Sequence, residues 1–127
     1  LRGVDVRIIV PHIPDKKMVF EMTKSNYQLL IKSKVKIYEY APGFIHSKSY
    51  IADGKVAMIG TINLDYRSLT HHFENGVWIY NDDVIKEMKE DFIDTMNKSI
   101  YMNNEKIKNN LFKRFIRSLI RIFSPLL

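Results

Sequence analysis

The sequence predicts a mixed α/β fold in which helices flank a β-sheet, an α-β-α sandwich. Short β-branched and apolar runs have the composition of strands, and two longer segments repeat their apolar residues at helical spacing. A helix lies between the first two strands, consecutive strands follow, and helices end the chain, an order typical of mixed sheets covered by helices. The 127 residues are enough for one domain with its own apolar core.

The first half is predicted to form a strand, a helix and a strand. Residues 4–11 (VDVRIIVP) are β-branched and end in proline, which predicts a short buried strand. Asp15 is predicted to cap a helix that continues to about Ser33. Residues 35–41 (VKIYEYA) alternate apolar and polar side chains and predict the second strand, which a Pro-Gly pair ends.

The second half is predicted to open with a β-hairpin. Residues 46–52 and 55–61 flank Asp53-Gly54, and Asp-Gly between alternating segments is the strongest short-range signal for a tight hairpin turn. The remaining chain is predicted to contain, in order, a loop at 63–72, a strand at 74–80, a helix opened by Asn81-Asp82, a polar link at 101–106 and a final helix at 106–123.

Composition and charge narrow the class of protein. Hydrophobic residues at 46% and charged residues at 27% are typical of a globular domain, and the absence of cysteine excludes disulfides and thiolate metal sites. No apolar run approaches the roughly 20 residues needed to cross a bilayer. The net charge is +6, and residues 105–127 carry +5 of it, as six basic and one acidic residue. The near-neutral remainder argues against a nucleic-acid groove.

The C-terminal segment 106–123 predicts a basic amphipathic helix. Most of its lysines and arginines fall in one sector of a helical wheel, and Phe, Leu and Ile occupy the rest. This is the composition of an interfacial membrane anchor, to which anionic headgroups add about 1 kcal/mol per cation near the surface. The alternative is a helix that packs its apolar face on the domain and leaves its cations solvated.

The predicted turn fixes a register between the two hairpin strands. With residues 53–54 at the centre of the turn, Lys48 opposes Ile59 and His46 opposes Thr61. Residues two apart on a strand share a face, as do directly opposed residues. The expected result is a single polar face at the end of the hairpin away from the turn.

That face is predicted to suit a phosphate group. It gathers the side chains of His46, Lys48, Thr61 and Asn63 within a patch about 5 to 8 Å across. An imidazole supplies a nucleophile or base, an ammonium supplies a cation, and a hydroxyl and a carboxamide supply neutral donors. The alternative interpretation is an ordinary exposed polar face on a half-buried strand. Asp53 lies at the turn, more than about 20 Å along the strand from His46, and is predicted to have a turn role only.

The spacing His46-x-Lys48-x4-Asp53-x6-Gly60-Thr61-x-Asn63 resembles the HKD signature of the phospholipase D superfamily. The neighbouring runs YEY, GFIHSK and GTINLDYRS, and the SPLL ending, resemble the second, C-terminal HKD half of bacterial cardiolipin synthases. The resemblance covers nearly the whole chain. One departure is the His71-His72 pair before Phe73-Glu74, where other polar or apolar residues are expected.

The resemblance implies a role for each matched residue. His46 is expected to be one of two active-site histidines, of which one attacks phosphorus and the other protonates the leaving alcohol. Lys48 and Asn63, with Thr61, are expected to hold the non-bridging phosphate oxygens. Glu74 is expected to accept a proton from the second ring nitrogen of the histidine, which fixes its tautomer. Asp53 and Gly60 are expected to be structural, and neither metal nor cofactor is expected.

The resemblance also implies the activity and the partners. The expected reaction makes cardiolipin from two phosphatidylglycerol molecules through a phosphohistidine, at a bacterial cell membrane. Residues 1–100 would be the catalytic half and 101–127 the amphipathic helix, and the first HKD half would come from the same chain. Alone, the segment is expected to be inactive or nearly so unless it forms a homodimer. The alternatives are a dimeric phospholipase D or nuclease-type phosphodiesterase and a catalytically silent membrane-attachment module; nucleic acid is not expected as a partner.

Other residues with tempting chemistry have simpler predicted places. The predictions are an exposed loop position for His12, loop surface or substrate entrance for His71 and His72, a bracing ion pair or a headgroup contact for Asp65 and Arg67, and the core for Trp78.

Overall fold

The computed structural model describes residues 3–107, except the side chains of residues 17 and 18. The chain divides into two compact units, one formed by the residues up to Ile45 and from Lys98 onward, the other by His46–Asn97. The mixed α/β class predicted from the sequence is confirmed. The elements of the described residues are β1 (Arg7–Pro11), α1 (Lys17–Lys32), β2 (Lys36–Tyr40), β3 (Ser49–Ala52), β4 (Val56–Gly60), α2 (Tyr66–Thr70), β5 (Gly76–Tyr80), α3 (Val84–Asn97) and β6 (Ser99–Met102).

The first unit contains a three-stranded sheet in the order β1-β2-β6. β1 and β2 run parallel and are joined by α1, while β6 pairs antiparallel with β2. A helical crossover is the usual way to join parallel neighbours, because the chain must return to the starting edge of the sheet. Tyr27 of α1, Ile37 of β2 and Ile107 are buried together and form the centre of the core.

The start of α1 differs from its prediction. The helix is capped at Lys16 without a side-chain hydrogen bond, so the predicted cap at Asp15 is wrong. The backbone carbonyl of Lys16 accepts from the amide of Phe20 at 3.1 Å, which closes the first turn one residue beyond the aspartate. Asp15 therefore lies one residue before the N-cap position, which is the position from which a carboxylate could cap this turn.

Glu39 is the buried charged residue of the first unit. Its side chain is 2% exposed, and its carboxylate accepts a hydrogen bond from the hydroxyl of Tyr27 at 3.0 Å. The other carboxylate oxygen lies 2.7 Å from Nδ1 of His12. His12 is 46% exposed, as predicted for a loop position, but it has this specific partner. The contacts satisfy a carboxylate that would otherwise be costly to bury.

The second unit contains an antiparallel sheet in the order β3-β4-β5, and α3 contacts β3. Ala57 of β4 and Ile85 of α3 are its buried apolar residues. Trp78 was predicted to be core, and this prediction is wrong, since its side chain is 73% exposed. It lies on β5, the edge strand, which in the described residues pairs only with β4.

The hairpin between β3 and β4 has the predicted turn but not the predicted register. Asp53 and Gly54 both have positive φ, 52° and 65°, as an Asp-Gly turn of this type requires. Ala52 nevertheless faces Val56 rather than Lys55, because Lys55 is an extra residue in the loop. The amide of Lys55 donates to the carbonyl of Ala52 at 3.1 Å. Every predicted cross-strand pair is therefore wrong by one residue.

Two further segments differ from their predictions. The predicted loop at 63–72 contains α2, because Asp65 caps a short turn by accepting from the amide of Ser68 at 2.7 Å. The predicted polar link at 101–106 begins inside β6. The final helix predicted at 106–123 lies outside the described residues, apart from its first two positions. No helix in the described part of the chain is both long and apolar enough to span a membrane.

Candidate active site

The corrected register places two glycines beside Lys48. The amide of Gly60 donates to the carbonyl of Lys48 at 3.1 Å, and Gly60 in turn lies opposite Gly76 of β5. Directly opposed residues share a face of the sheet. Because glycine has no side chain, the backbone of Asn75 can approach Gly60 closely; a Cβ added to Gly60 would lie 2.1 Å from the Asn75 carbonyl oxygen. The motif glycine therefore permits the close packing of β4 against β5.

His46 and Lys48 come together, as predicted. The ammonium of Lys48 lies 2.8 Å from Nδ1 and 2.9 Å from Nε2 of His46. It also donates to the carbonyl of His46 at 2.8 Å. An ammonium can only donate and a neutral imidazole has one acceptor nitrogen, so Lys48 can hydrogen-bond one ring nitrogen at a time. A bound anion would compete with the ring for this cation.

Thr61 and Glu74 are joined across the ends of β4 and β5. The amide of Thr61 donates to the carbonyl of Asn75 at 2.9 Å, and the amide of Asn75 donates to the Thr61 hydroxyl oxygen at 3.0 Å. The hydroxyl itself donates to a carboxylate oxygen of Glu74. These contacts continue the β4–β5 pairing by one residue and fix where the Glu74 carboxylate lies.

The surroundings of Glu74 hold its pKa below the usual value of 4.5. The hydrogen bond from Thr61 is the largest cause, and a hydrogen bond from Ser68 is the next. Partial burial acts in the opposite direction, while the charges of His72 and Lys48 lower the pKa further. Glu74 therefore remains a carboxylate near neutral pH. Its negative charge interacts favourably with the positive charge of Lys48.

Asn63 is positioned by α2. Its carboxamide nitrogen lies 3.5 Å from the hydroxyl of Ser68, at the outer limit of a hydrogen bond. Ser68 is buried, and the capping contact with Asp65 fixes its backbone. The sequence prediction missed Ser68, although its place three residues after Asp65 is the spacing of a helix cap and its first bonded amide.

Asp65 and Arg67 make other contacts than the predicted ion pair. Asp65 caps α2, whereas the guanidinium of Arg67 donates to Nε2 of His72 at 2.9 Å. Nδ1 of His72 lies 3.8 Å from the second carboxylate oxygen of Glu74. His71, its neighbour, instead packs edge-on against Tyr66 with ring centroids 5.3 Å apart.

Asp53 lies at the hairpin turn, exposed, as predicted. Within the described residues no group of three or more histidine, aspartate or glutamate side chains could hold a metal ion. The predicted single polar face depended on Lys48 opposing Ile59; since Lys48 lies opposite Gly60, that register is wrong and does not place Thr61 on the face of Lys48. The predicted site residues form a histidine–lysine pair, a threonine–glutamate pair and the Asn63 carboxamide beside Ser68, and the charge of Lys48 acts on Glu74. Such a set can provide a cation and neutral donors for an anion, together with an imidazole for proton transfer or nucleophilic attack.

Comparison with known proteins identifies the family. Residues 1–96 match the family model described as "Cardiolipin synthase, PLD-like domain". The chain belongs to this family. The resemblance to the phospholipase D superfamily and to bacterial cardiolipin synthases is thereby confirmed, and His46, Lys48, Thr61 and Asn63 lie within the matched range.

Individual members of the PLD-like cardiolipin synthase family resemble the chain along its length. It is 41% identical to cardiolipin synthase 2 of Bacillus cereus, and the match covers all of this chain and 25% of that protein. It is also 41% identical to the cardiolipin synthase of Geobacillus sp. strain WCH70, where the match covers all of this chain and 26% of that protein. An uncharacterized protein of Streptococcus mutans is 44% identical over 99% of the chain and 28% of its own length. The chain thus spans about a quarter of these relatives. No solved structure matches it.

Proposed function

We propose that the chain supplies one HKD half of a phosphatidyltransferase that makes cardiolipin from two phosphatidylglycerol molecules. The observation that carries this proposal is the contact between the Lys48 ammonium and the His46 imidazole, 2.8 Å from Nδ1. A lipid phosphodiester is a singly charged anion with two non-bridging oxygens. It fits a surface that offers one cation, an imidazole and neutral donors. Membership of the PLD-like cardiolipin synthase family supports the same chemistry.

In the first step, one imidazole attacks the phosphorus of a phosphatidylglycerol. A phosphorus–nitrogen bond forms, the bond to the glycerol oxygen breaks, and the second histidine gives its proton to that oxygen so that glycerol leaves. His46 is one of these histidines, and the other comes from the first HKD half of the same full-length chain. Lys48, Thr61 and Asn63 hold the non-bridging oxygens as negative charge accumulates on them.

In the second step, the hydroxyl of another phosphatidylglycerol attacks the phosphohistidine. The second histidine takes the hydroxyl proton, the phosphorus–nitrogen bond breaks, and cardiolipin is released with both histidines restored. Water in place of this hydroxyl would give phosphatidic acid, which is the phospholipase D outcome.

Glu74 orients an active-site imidazole in this proposal. A carboxylate that accepts a proton from one ring nitrogen fixes the tautomer and stabilises the cationic ring. Support comes from the lowered pKa of Glu74 and from its fixed position beside Thr61. The carboxylate is thus ready to accept throughout the neutral pH range.

The proposed site works at an anionic bilayer. The basic and apolar residues of 106–123 would bind phosphatidylglycerol headgroups and bring residues 1–100 to the membrane surface. Because the reaction needs two histidines, the 127-residue chain alone should be inactive or nearly so. A homodimer that brings two His46 residues together is the one arrangement in which it should turn over.

The decisive experiment uses the full-length protein with phosphatidylglycerol labelled in its phosphate, and follows the lipid products. We expect labelled cardiolipin from the wild type, a loss of at least about a thousandfold in His46→Ala, and near-normal activity in His71→Ala. His71 is the matched control, since it is an exposed histidine whose ring packs against Tyr66.

Three outcomes would overturn the proposal. Phosphatidic acid without cardiolipin would make the protein a hydrolase. Unchanged activity in His46→Ala would remove the catalytic assignment. Absence of any reaction, together with absence of labelled phosphate on His46 after rapid quenching, would leave a silent membrane-attachment module.

A further inference from the structure

His72 stands at the point where this chain departs from the pattern expected before Glu74. Its ring lies between two charged partners, the guanidinium of Arg67 and the carboxylate of Glu74. None of the roles expected from the HKD signature falls on it. We propose that His72 is a positioning residue that, together with the hydrogen bonds from Thr61 and Ser68, holds the Glu74 carboxylate in place for the proposed reaction; the inference rests on the proposed function.

The tautomer of His72 follows from its contact with Arg67. A guanidinium has only donors, so Nε2 of His72 must accept the hydrogen bond at 2.9 Å. The neutral ring then carries its proton on Nδ1. That nitrogen lies 3.8 Å from Oε1 of Glu74, beyond hydrogen-bond distance, so the ring acts on the carboxylate electrostatically rather than through a hydrogen bond. Arg67 therefore orients His72, and His72 adds positive potential on one side of Glu74.

The other side of Glu74 is held by a different contact. Oε2 accepts from the Thr61 hydroxyl, while Oε1 faces His72. The Glu74 carboxylate thus accepts hydrogen bonds from Thr61 and Ser68 and has the His72 ring beside Oε1, so it cannot rotate freely about its last bond. The backbone supports the arrangement as well, because the amides of His71 and His72 both donate to the carbonyl of Arg67 at 2.9 Å. The short helix α2 therefore determines where the His72 ring lies.

Protonation of His72 would change this arrangement in a defined way. A cationic ring has no acceptor for Arg67 and is repelled by it, while its attraction to Glu74 increases. The charged groups that face His72 are Arg67 from α2 and Glu74 from the segment before β5, and Lys48 acts on the same carboxylate. Removing His72 should therefore raise the pKa of Glu74, because the electrostatic attraction of the His72 ring is among the causes that lower it.

The first test measures that pKa by carboxyl ¹³C NMR in the 127-residue chain, and it needs no activity. In His72→Asn we expect the Glu74 pKa to rise, because the attraction of the His72 ring for the carboxylate is lost while the hydrogen bonds from Thr61 and Ser68 remain. In His71→Asn, the matched control, it should be unchanged. Equal Glu74 pKa values in the wild type and His72→Asn would overturn the inference.

The second test measures cardiolipin synthesis by the full-length protein. We expect His72→Asn to lower kcat about three- to tenfold with KM for phosphatidylglycerol unchanged, because the variant misplaces an orienting group without removing a phosphate contact. An unchanged kcat, or an equal loss in His71→Asn, would contradict the positioning role. If His46→Ala remained fully active the proposed function would fail, while the NMR comparison would still decide whether His72 holds Glu74.

Discussion

Gly60 lies directly opposite Gly76, but only Gly60 is so close to neighbouring backbone that it has no room for a side chain. A methyl group added to Gly60 would lie 2.1 Å from the carbonyl oxygen of Asn75, whereas one added to Gly76 would first meet the flexible end of Met58 at 3.5 Å. We therefore expect Gly60→Ala to lower the free energy of unfolding by about 3 kcal/mol. Urea denaturation measures this loss.

Gly76→Ala is the matched control, since it adds the same methyl group on the neighbouring strand. It should cost less than about 1 kcal/mol, because ordinary van der Waals contact needs no backbone movement. Equal losses in the two variants would show that the close approach of β4 and β5 is not the reason for the glycine.

The substitution Thr61→Val is expected to reduce the stability that the fold loses at acid pH when Glu74 becomes protonated. The folded-state pKa of Glu74 is below 4.5, so its stabilising contribution is complete above pH 4.5 and is lost as the pH falls through the lower folded value. Removing the Thr61 hydroxyl raises the folded pKa toward 4.5 and shrinks this contribution. Melting temperatures at pH 7 and pH 3 should therefore differ less in the variant than in the wild type.

Thr70→Val is the control for that comparison. The Thr70 hydroxyl is also exposed, but it donates to the backbone carbonyl of Tyr66 rather than to a carboxylate. Its loss should leave the difference between pH 7 and pH 3 unchanged. A similar pH effect in both valine variants would contradict the link between Thr61 and Glu74.

Tyr27→Phe is expected to destabilise the first unit by about 1 to 3 kcal/mol, because it leaves a buried carboxylate oxygen of Glu39 without its donor. Tyr27 is 2% exposed, so water cannot replace the lost hydroxyl without rearrangement. The matched variant Tyr101→Phe changes a tyrosine that is 46% exposed and should stay within about 0.5 kcal/mol of the wild type. If chemical denaturation gave the same loss of unfolding free energy for Tyr27→Phe and Tyr101→Phe, the role of Tyr27 would be refuted.

The substitution Asp5→Asn is expected to lower the free energy of unfolding at neutral pH and to make it depend less on pH in the acid range. Hydrogen bonds from Arg7 and then Lys36 lower the pKa of Asp5 from 3.8 to about 2. The contribution is therefore complete above pH 3.8 and disappears as the pH falls through about 2. Since the carboxylate is exposed, 1 M salt should reduce the effect in the wild type. If the free energy of unfolding depended on pH in the same way in the wild type and the variant, the stabilising role assigned to Asp5 would be contradicted.

The sequence predicted most elements because each depends on local chemistry. Alternation in VKIYEYA and the Asp-Gly pair depend on residues close together in the chain, and both produced the expected strand and turn. Trp78 could not be placed in this way, since apolar composition identifies a strand but not whether another layer covers it. The strand β6 was missed for the same reason: SIYM is short, and its pairing with β2 joins residues some sixty positions apart.

The site was predictable as a set of residues but not as a set of contacts. The HKD spacing identified His46 and Lys48, and their contact agrees with the expectation. The one-residue shift at Lys55 could not be seen in the sequence, because a two-residue and a three-residue loop can share the same Asp-Gly letters. The contact of His72 with Arg67 depends on how α2 ends, and the sequence had predicted a loop there.

The extra residue at Lys55 has a consequence for shortening this exposed tip. Deleting Lys55 would leave Asp53-Gly54 as a two-residue loop between Ala52 and Val56, which already face each other. Two-residue Asp-Gly loops are among the commonest tight hairpin connections. The shortened hairpin would therefore keep the pairs from Ala52–Val56 to Ser49–Ile59, and the amide of Gly60 could still donate to the carbonyl of Lys48. The contact that the deletion would remove is the hydrogen bond from the amide of Asn81 to the carbonyl of Lys55, which ties the tip to the chain after β5.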